Sequence, residues 1–477
     1  MRYTRQFAAA FAAIAVGVGL FAACVGDSPV GNPDATTPDA GDAGTVDVKP
    51  GDSAVGCSAR TADDTTGLFV AQAGTDVGSC GTRANPCKTL TYAIATAKTT
   101  SGKTTLYVAA APATDAGPGA YQESIILDAP LSIEGGWSAS GGTWTPICDA
   151  TTSTAVTIQG VTNTTITASF NGTATLRDLR VASKPAADPS ESLYGVFVLG
   201  STTNLTLDQV VADIAPGGAG TTGADGTAGA NATDAGCAAS TGANGGAGAA
   251  GTGGAAGTFS ASGYLSTNGG DAGNGGVGQN GTAGGAGDCM SGCETSLGQC
   301  SSGCQPTYGQ KCAANGISGC GGGGGGGGSY GTGGGASIAL FVWDAHVTLF
   351  GGSFTTSNGG NGGNGGNGVN GGSGTAGAAG SSSACVTQIT TPTCATFGCT
   401  ATISQSTPLN GGVAGGTGGA GGVGGQGGGG SGGVSYDIVQ GGDGGVVVNG
   451  SPKLAHGDGG AGGALGGASG LAGDKWP

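Results

Sequence analysis

Glycine stands at 359, 362, 365, 368, 371, 374, 377 and 380 of the stretch GGNGGNGGNGVNGGSGTAGAAG. The same spacing recurs within 217–229, 242–257, 275–287 and 412–430. Collagen shares this period, but it needs proline or hydroxyproline at roughly 15–20%, and these runs hold no proline beyond their edges. What remains is a left-handed polyproline-II helix of glycine, with three residues per turn, a rise of about 3.1 Å each and no internal hydrogen bonds. One face of such a helix is all glycine, so neighbouring helices can approach closely and exchange backbone hydrogen bonds. The balance is narrow. Ordering a residue costs about 1–2 kcal/mol, glycine the most, and a net hydrogen bond contributes about 0.5–1.5 kcal/mol. Disordered linkers are the competing reading of the same runs.

The runs alternate with strand-like segments. SLYGVFVLGSTTNLTLDQVVADIAPGGAG (192–220) is echoed by SIALFVWDAHVTLFGGSFTTSNGGNGG (337–363), and more loosely by GVSYDIVQGGDGGVVVNGSPKLAHGDGGAGG (433–463). Each is two short strands followed by a glycine-rich excursion. The chain returns repeatedly to one kind of coil.

The N-terminus carries Arg2 and Arg5 before an apolar run, Phe7 to Ala23, of signal-peptide length. It ends in LFAAC, which resembles the lipobox of bacterial lipoproteins, although Phe21 stands where an aliphatic residue is usual. The resemblance implies a signal peptide over 1–23 and acyl chains on Cys24 that hold the protein to a bacterial membrane; an ordinary secreted chain with unmodified Cys24 is the alternative. Buried methylenes contribute about 0.8 kcal/mol each, so several chains make a stable anchor. Residues 24–56 are rich in Asp, Pro, Gly, Thr and Ala, with Lys49 as their one basic residue. So little apolar content predicts a disordered acidic tether. No later segment offers the roughly 20 apolar residues of a spanning helix.

Fifteen cysteines are present, and setting Cys24 aside leaves an even number. In an exported chain these predict disulfides. The net charge is −15, arginine does not occur after Arg180, and lysine occurs after Lys184 only at 311, 453 and 475. That excludes a nucleic-acid footprint, which needs clustered Lys and Arg.

Residues 57–216 have globular texture. LFVAQ (68–72) and TTLYVAAA (104–111) read as strands. Between them Asn85 is a candidate cap with Pro86 at the first helical position, and Leu90, Ala93, Ile94 and Ala97 repeat at helical spacing. Two short strands, 124–127 and 131–133, follow. LFVAQAGTDVGSCGTRANPCKTLTYAIATA, LYVAAAP and AYQESIILDAPLSIEGGWSASGGTWTP together resemble the pectin lyase-like right-handed parallel β-helix family in its bacterial surface-protein form. The resemblance covers roughly 66–215. It implies an all-β solenoid with an N-terminal capping helix, into which the excursions of 217–477 are interleaved. Strands of three to five residues between turns suit such coils. Leu176, Leu179, Val181, Leu205, Leu207 and Val210 are expected inside, with Arg177, Asp178, Asp208 and Gln209 at turns or outside. An antiparallel β-sandwich is the alternative. The glycine runs also resemble polyproline-II antifreeze proteins and the glycine-rich tips of phage adhesins, which implies a stiff, flat, small-residue surface without one particular ligand.

Within the Cys-rich insert 289–320, Cys289, Cys293, Cys300 and Cys304 follow the pattern C-x3-C-x6-C-x3-C. The pattern resembles a disulfide-linked helical hairpin, implying Cys289 with Cys304 and Cys293 with Cys300; a four-thiolate zinc site is the alternative. Cys80 and Cys87 bracket a short loop and predict a local bridge. Cys57 and Cys148 flank the cap region as a further candidate pair. Asp178, Asp208 and Asp213, with Arg177 and Arg180, are the residues an acid–base enzyme would use, against an ordinary role as turn and surface polarity. His346 and His456 sit in no motif, and His346 is expected to face outward. GGDAGNGGVG and HGDGGAGG lack the regular aspartate spacing of calcium repeats, so neither metal nor cofactor is predicted. The expected function is a non-enzymatic lipoprotein of the cell envelope, at the outer membrane or surface, structural or adhesive, binding glycan or matrix. A polysaccharide lyase or hydrolase is the alternative, and fold alone does not decide between them.

Overall fold

Leu176, Leu207 and Leu349 lie side by side on three neighbouring parallel strands, all of them buried. That stacking of like on like runs through the chain. The computed structural model describes residues 60–112, 119–148, 155–297, 306–395 and 398–476. These fall in one compact unit, Val48–Pro477.

The first elements are β1 (Gly67–Val70), α1 (Leu90–Thr99), β2 (Thr105–Ala109), β3 (Ala120–Gln122), β4 (Ile125–Leu127), β5 (Ser132–Ser140) and β6 (Thr143–Pro146). Next come β7 (Thr157–Gln159), β8 (Thr164–Ala168), β9 (Gly172–Arg177), β10 (Arg180–Ala182), β11 (Leu193–Leu199), β12 (Thr203–Asp208) and β13 (Val211–Ile214). Two hairpins follow, β14 (Thr258–Ser260) with β15 (Gly263–Leu265) and β16 (Cys289–Leu297) with β17 (Pro306–Cys312). The chain then forms β18 (Ser337–Trp343), β19 (His346–Phe350) and β20 (Ser353–Thr356), and a third hairpin, β21 (Ser383–Ala395) with β22 (Gly398–Leu409). It ends with β23 (Ser435–Gly441), β24 (Gly445–Asn449), β25 (Lys453–Ala455) and β26 (Ala472–Trp476).

Three parallel sheets result. The first runs β1-β2-β5-β9-β12-β19-β24, with β6 antiparallel on β5; the second runs β3-β7-β10-β13-β20-β25; the third runs β4-β8-β11-β18-β23-β26. From β7 onward the chain visits the second, third and first sheets in rotation. The described chain is all-β with little helix, and it is compatible with a parallel β-solenoid. Parallel pairing excludes the antiparallel sandwich. Side chains from all three sheets share one core, including Val181, Leu205, Leu207, Val196 and Leu340. Each fully buried aliphatic side chain stabilises it by about 1.5–3 kcal/mol.

The helix begins later than the sequence predicts. Its N-cap is Thr89, whose hydroxyl accepts from the Tyr92 amide. Asn85 and Pro86 belong instead to a loop closed by the Cys80–Cys87 disulfide. Cys87 exchanges backbone hydrogen bonds with Phe69 and Ala71, so it is held extended and helix can start only beyond it. Leu90, Ala93, Ile94 and Ala97 are the buried face, and the helix lies beside β1, β2 and β4.

Connections from the second sheet to the third lengthen along the chain. They span residues 123–124, then 160–163, then 183–192, then 215–336, 357–434 and 456–471. Every glycine run is therefore inserted at one corner of the stack. There the runs hydrogen-bond to one another at every third residue. The amides of Gly217, Gly220, Gly223, Gly226 and Gly229 donate to the carbonyls of Asn358, Asn361, Asn364, Asn367 and Asn370. Those of Gly360, Gly363, Gly366, Val369 and Gly372 donate to Gly335, Thr332, Ser329, Gly326 and Gly323, in the opposite direction. Gly322, Gly325, Gly328 and Gly331 donate to Gly419, Gly422, Gly425 and Gly428. This network excludes the linker reading for these residues.

Register passes from sheet to bundle. Val211 pairs with Ser353 and Ser353 with Lys453, offsets of 142 and 100. The same offsets, 142 and 100, separate Asn367 from Asp225 and Asp458 from Asn358 in the bundle's side-chain hydrogen bonds. Glycine also multiplies with the number of close neighbours. In 217–229 the glycine of each triplet meets the run 323–335: a Cβ on Gly220 would lie 2.1 Å from the Thr332 carbonyl oxygen. Gly321–Gly328 is unbroken glycine because successive residues face different runs. Added Cβ atoms at 323, 324 and 325 would meet Ala230, Gly275 and Val369 at 3.0, 1.9 and 1.9 Å.

A side chain on a packed face must therefore displace backbone. Gly365→Val, whose Cβ would stand 1.9 Å from the Gly427 carbonyl oxygen, is expected to destabilise by about 3 kcal/mol or more, at or above the upper end of ordinary overpacking. Gly246→Ala, with nothing within 4 Å, is expected to be neutral or to stabilise by about 0.4–1 kcal/mol. Denaturant unfolding of the two variants checks this, and hydrogen exchange should show the amides of 360, 363, 366, 369 and 372 protected.

Candidate functional site

The acid–arginine set lies on successive coils, as the strand spacing predicts. Arg177 is in register with Asp208 and with Glu134. Its Nε donates to Asp208 at 2.7 Å, and Arg180 Nε donates to Asp213 at 2.7 Å. Asp178 and Gln209 occupy equivalent turns with φ of 52° and 53°. Asp178 is not outside. Arg60, immediately after the acidic stretch, donates to its carboxylate at 2.5 Å, to Glu134 at 3.3 Å and to the Gly135 carbonyl at 3.2 Å. The guanidinium also lies 5.1 Å from the Trp137 ring, which is buried with Phe69, Tyr107 and Trp144. Burial raises the Asp178 carboxyl above its usual range, and the Arg60 charge opposes that shift. All three aspartates are thus committed to arginines, and the cluster fastens the N-terminal segment to the stack. Arg60 was not singled out from sequence; its one signal is position, as the first arginine after the tether.

Among the cysteines, Cys289–Leu297 and Pro306–Cys312 pair as antiparallel strands rather than as two helices. Cys289 bonds to Cys312, directly opposite on the antiparallel ladder, and Cys293 bonds to Cys385 on β21. Those pairings replace Cys289–Cys304 and Cys293–Cys300; Cys300 and Cys304 lie outside the described residues. The segment has no apolar stripe with which to bury a helix, whereas a hairpin satisfies its backbone internally. Cys237–Cys320 ties two glycine runs together across 83 residues. Cys148 is disulfide-bonded, while Cys57, like Cys24 and the whole of 1–56, lies outside the described residues. No group of three or more metal-ligating side chains occurs among the described residues. The Asp271 carboxylate accepts instead from the Tyr330 amide. No described helix is long and apolar enough to cross a membrane.

Two features escaped the sequence reading. One is a polar end to the core. Leu193, Ser337 and Ser435 align on the third sheet, and apolar gives way to polar along that line. On the same strand as Ser435, Asp437 is fully buried. Thr356 donates to Asp437 Oδ1 at 3.1 Å, and the Thr356 and Ser435 hydroxyls are 2.9 Å apart. Asp437 Oδ2 has no partner among the described residues. Burial pushes this carboxyl up to about 6, with Asp474 adding to the rise and His456 opposing it. His456 itself lies 3.8 Å from Asp474. His346 is exposed on the first sheet, as expected.

The other is an aromatic layer on the opposite face of the third sheet. Phe197 stacks on Phe341 at 4.5 Å, and Phe341 is nearly parallel to Trp343 at 6.1 Å. The β14–β15 hairpin lays Phe259 and Tyr264 over this layer, and the Tyr264 amide donates to the Tyr194 hydroxyl at 2.8 Å. Phe259 meets Trp476 of β26 at 4.7 Å. Between hairpin, sheet and glycine bundle lies a shallow cleft of about 30 Å³, lined by Phe259, Tyr264, Tyr436, Leu471, Trp476 and small residues of the runs.

Asp437 generates a pH prediction. Its folded carboxyl holds a proton to about pH 6, whereas the unfolded one releases it near 4. Folding therefore binds a proton between those values, and stability falls as pH rises through about 4–6. Asp437→Asn, which keeps an acceptor for Thr356, is expected to be more stable than the parent at pH 8 by about 1–3 kcal/mol and equal to it at pH 4. Thermal unfolding from pH 4 to 8 checks this. No family model, no curated protein and no solved structure matches the chain.

Proposed function

We propose that the protein is a non-enzymatic lipoprotein of the bacterial cell surface, a rigid structural or adhesive element that binds glycan or matrix. In this reading the stack is a right-handed β-helix resembling the pectin lyase-like family, with α1 at its N-terminal end. The glycine runs are polyproline-II helices, because a hydrogen-bond period of three toward several neighbours is the repeat of a three-residue turn. Acyl chains on Cys24 and the tether that follows would hold this body at the membrane; Val25, rather than aspartate, after the cysteine favours the outer membrane of a Gram-negative host.

One observation carries the choice against an enzyme. Asp178, Asp208 and Asp213 each pair with an arginine, so this set lacks the free acid and base that glycoside hydrolysis requires. Long ordered faces suit adhesion instead. Purified protein is expected to bind on a glycan array and to leave acidic polysaccharides uncleaved. Turnover abolished by Asp208→Ala would establish the enzyme instead. Cys24→Ser is expected to move the protein from the membrane fraction to the soluble one; retention with unchanged acylation would remove the lipoprotein reading.

A further inference from the structure

The first sheet is closed at one edge and open at the other. At its first edge, β1 is covered by the loop of the Cys80–Cys87 disulfide. The Cys87 amide donates to the Phe69 carbonyl, and the Ala71 amide to the Cys87 carbonyl, both at 2.9 Å. At the last edge, β24 pairs with β19 alone among the described strands. The core shows the same asymmetry. Leu176, Leu207, Leu349 and Val448 form one column across β9, β12, β19 and β24. The three leucines are at most 1% exposed, whereas Val448 is 46% exposed.

The backbone of β24 is set to take one more strand. The Gly445 amide donates to the Ala345 carbonyl, on the β19 side. By the alternation of a strand, Val446 and Val448 aim their amides and carbonyls off the open edge. Gln440 Oε1 accepts from the Val446 amide at 3.2 Å, and the Val448 amide has no partner among the described residues. The last strands of the other two sheets carry exposed charges, Lys453 on β25 and Asp474 and Lys475 on β26, a common guard against edge pairing. β24, Gly-Val-Val-Val-Asn, carries none, and Val447 on its outer face is 58% exposed.

Symmetry decides which strand fits. Because β1 is covered, a second copy cannot offer its first edge to β24. Two copies can therefore pair through this sheet only β24 to β24, antiparallel about a two-fold axis. The valine triplet is self-complementary in that arrangement. An axis through Val447 sets Val446 opposite Val448 of the second copy, a pair whose edge-directed groups exchange both backbone hydrogen bonds once Gln440 releases the Val446 amide. Val447 then faces its own equivalent as a non-hydrogen-bonded pair, with Cα atoms about 4.5 Å apart. The inward Val446 and Val448 side chains extend the core across the contact. Such an isologous contact uses each edge once and closes.

We infer that β24 is the centre of an interface between two copies of this chain, joined edge to edge about a two-fold axis at Val447. The test uses the full chain, purified in detergent, and sedimentation equilibrium at matched solvent density. The unaltered protein is expected to be a dimer. Val447→Asp sets two like charges face to face at an exposed position; it should raise the dimer dissociation constant at least tenfold and leave the far-ultraviolet circular dichroism unchanged. Val447→Cys should give a disulfide-linked dimer on a non-reducing gel, because the expected spacing falls within the roughly 4.4–6.8 Å that a disulfide spans. Val423→Cys, at an exposed valine of the glycine bundle, should not. A protein that stays monomeric at the highest concentration reached, whether or not a strand of another protein pairs with β24, would overturn the assignment. So would a dimer that Val447→Asp leaves intact and Val447→Cys fails to cross-link, or open-ended oligomers in place of a dimer.

Discussion

The close approach of backbone to backbone at glycine is the constraint on which the rest of this protein depends. Where an added Cβ would stand about 2 Å from a neighbour's carbonyl oxygen, no other residue fits without displacement. That approach lets amide and carbonyl meet at 2.7–3.1 Å along whole runs. Each bond contributes only about 0.5–1.5 kcal/mol net against a glycine ordering cost of similar size. The bundle therefore needs help from outside itself. Sheet register supplies part of it: the runs leave β13, β20 and β25 already aligned, and re-enter at β18, β23 and β26. Disulfides supply another part. Cys237–Cys320 and Cys293–Cys385 close loops of 83 and 92 residues, and in the loop-entropy account each constrains the unfolded chain by about 4–5 kcal/mol.

The aromatic layer is the hinge between these two kinds of packing. Without a covering element the outer face of the third sheet would meet water. Here Tyr194, Phe197, Ile338, Phe341 and Val439 are buried beneath the β14–β15 hairpin, which is itself part of a glycine excursion. Apolar burial on that face thus ties the bundle to the sheets with ordinary side-chain energetics, about 25 cal/mol per Å² of apolar surface. The same layer creates the cleft, because the hairpin covers the sheet only in part.

Much of this was legible in residues 57–216, where periodicity and burial agree. The helical face at Leu90, Ala93, Ile94 and Ala97 and the inward leucines of β9 and β12 follow from spacing alone. The glycine period announced ordered neighbours, and its multiplicity held more: unbroken glycine at 321–328 marks a run enclosed on several sides. Other features had no local signal. Arg60 and Asp178 are 118 residues apart, and Cys293 and Cys385 are 92 apart; only the fold brings them together. Asp437 misleads for a different reason. In SYDIVQ an aspartate between Tyr436 and Ile438 reads as solvent-facing, as it would on a one-sided strand. The third sheet is covered on both faces, so alternation no longer separates inside from outside.

Glycine placement also shows where the bundle stops. The run 413–430 carries two glycines per triplet along most of its length, and its third position bears Ala, Thr, Val or Gln; Val423 there is 42% exposed. That third position becomes glycine at 429 and 432, where the run 460–464 packs against it with prospective Cβ contacts of 2.2 and 1.9 Å. Side chains thus replace glycine where this run loses a neighbour. A face bearing Val, Thr and Gln cannot accept another run at backbone distance, so it is not built for indefinite lateral growth. An open cross-β edge, by contrast, offers unpaired backbone to any further strand. What such a bundle presents outward is side chains held at fixed intervals on a rigid support.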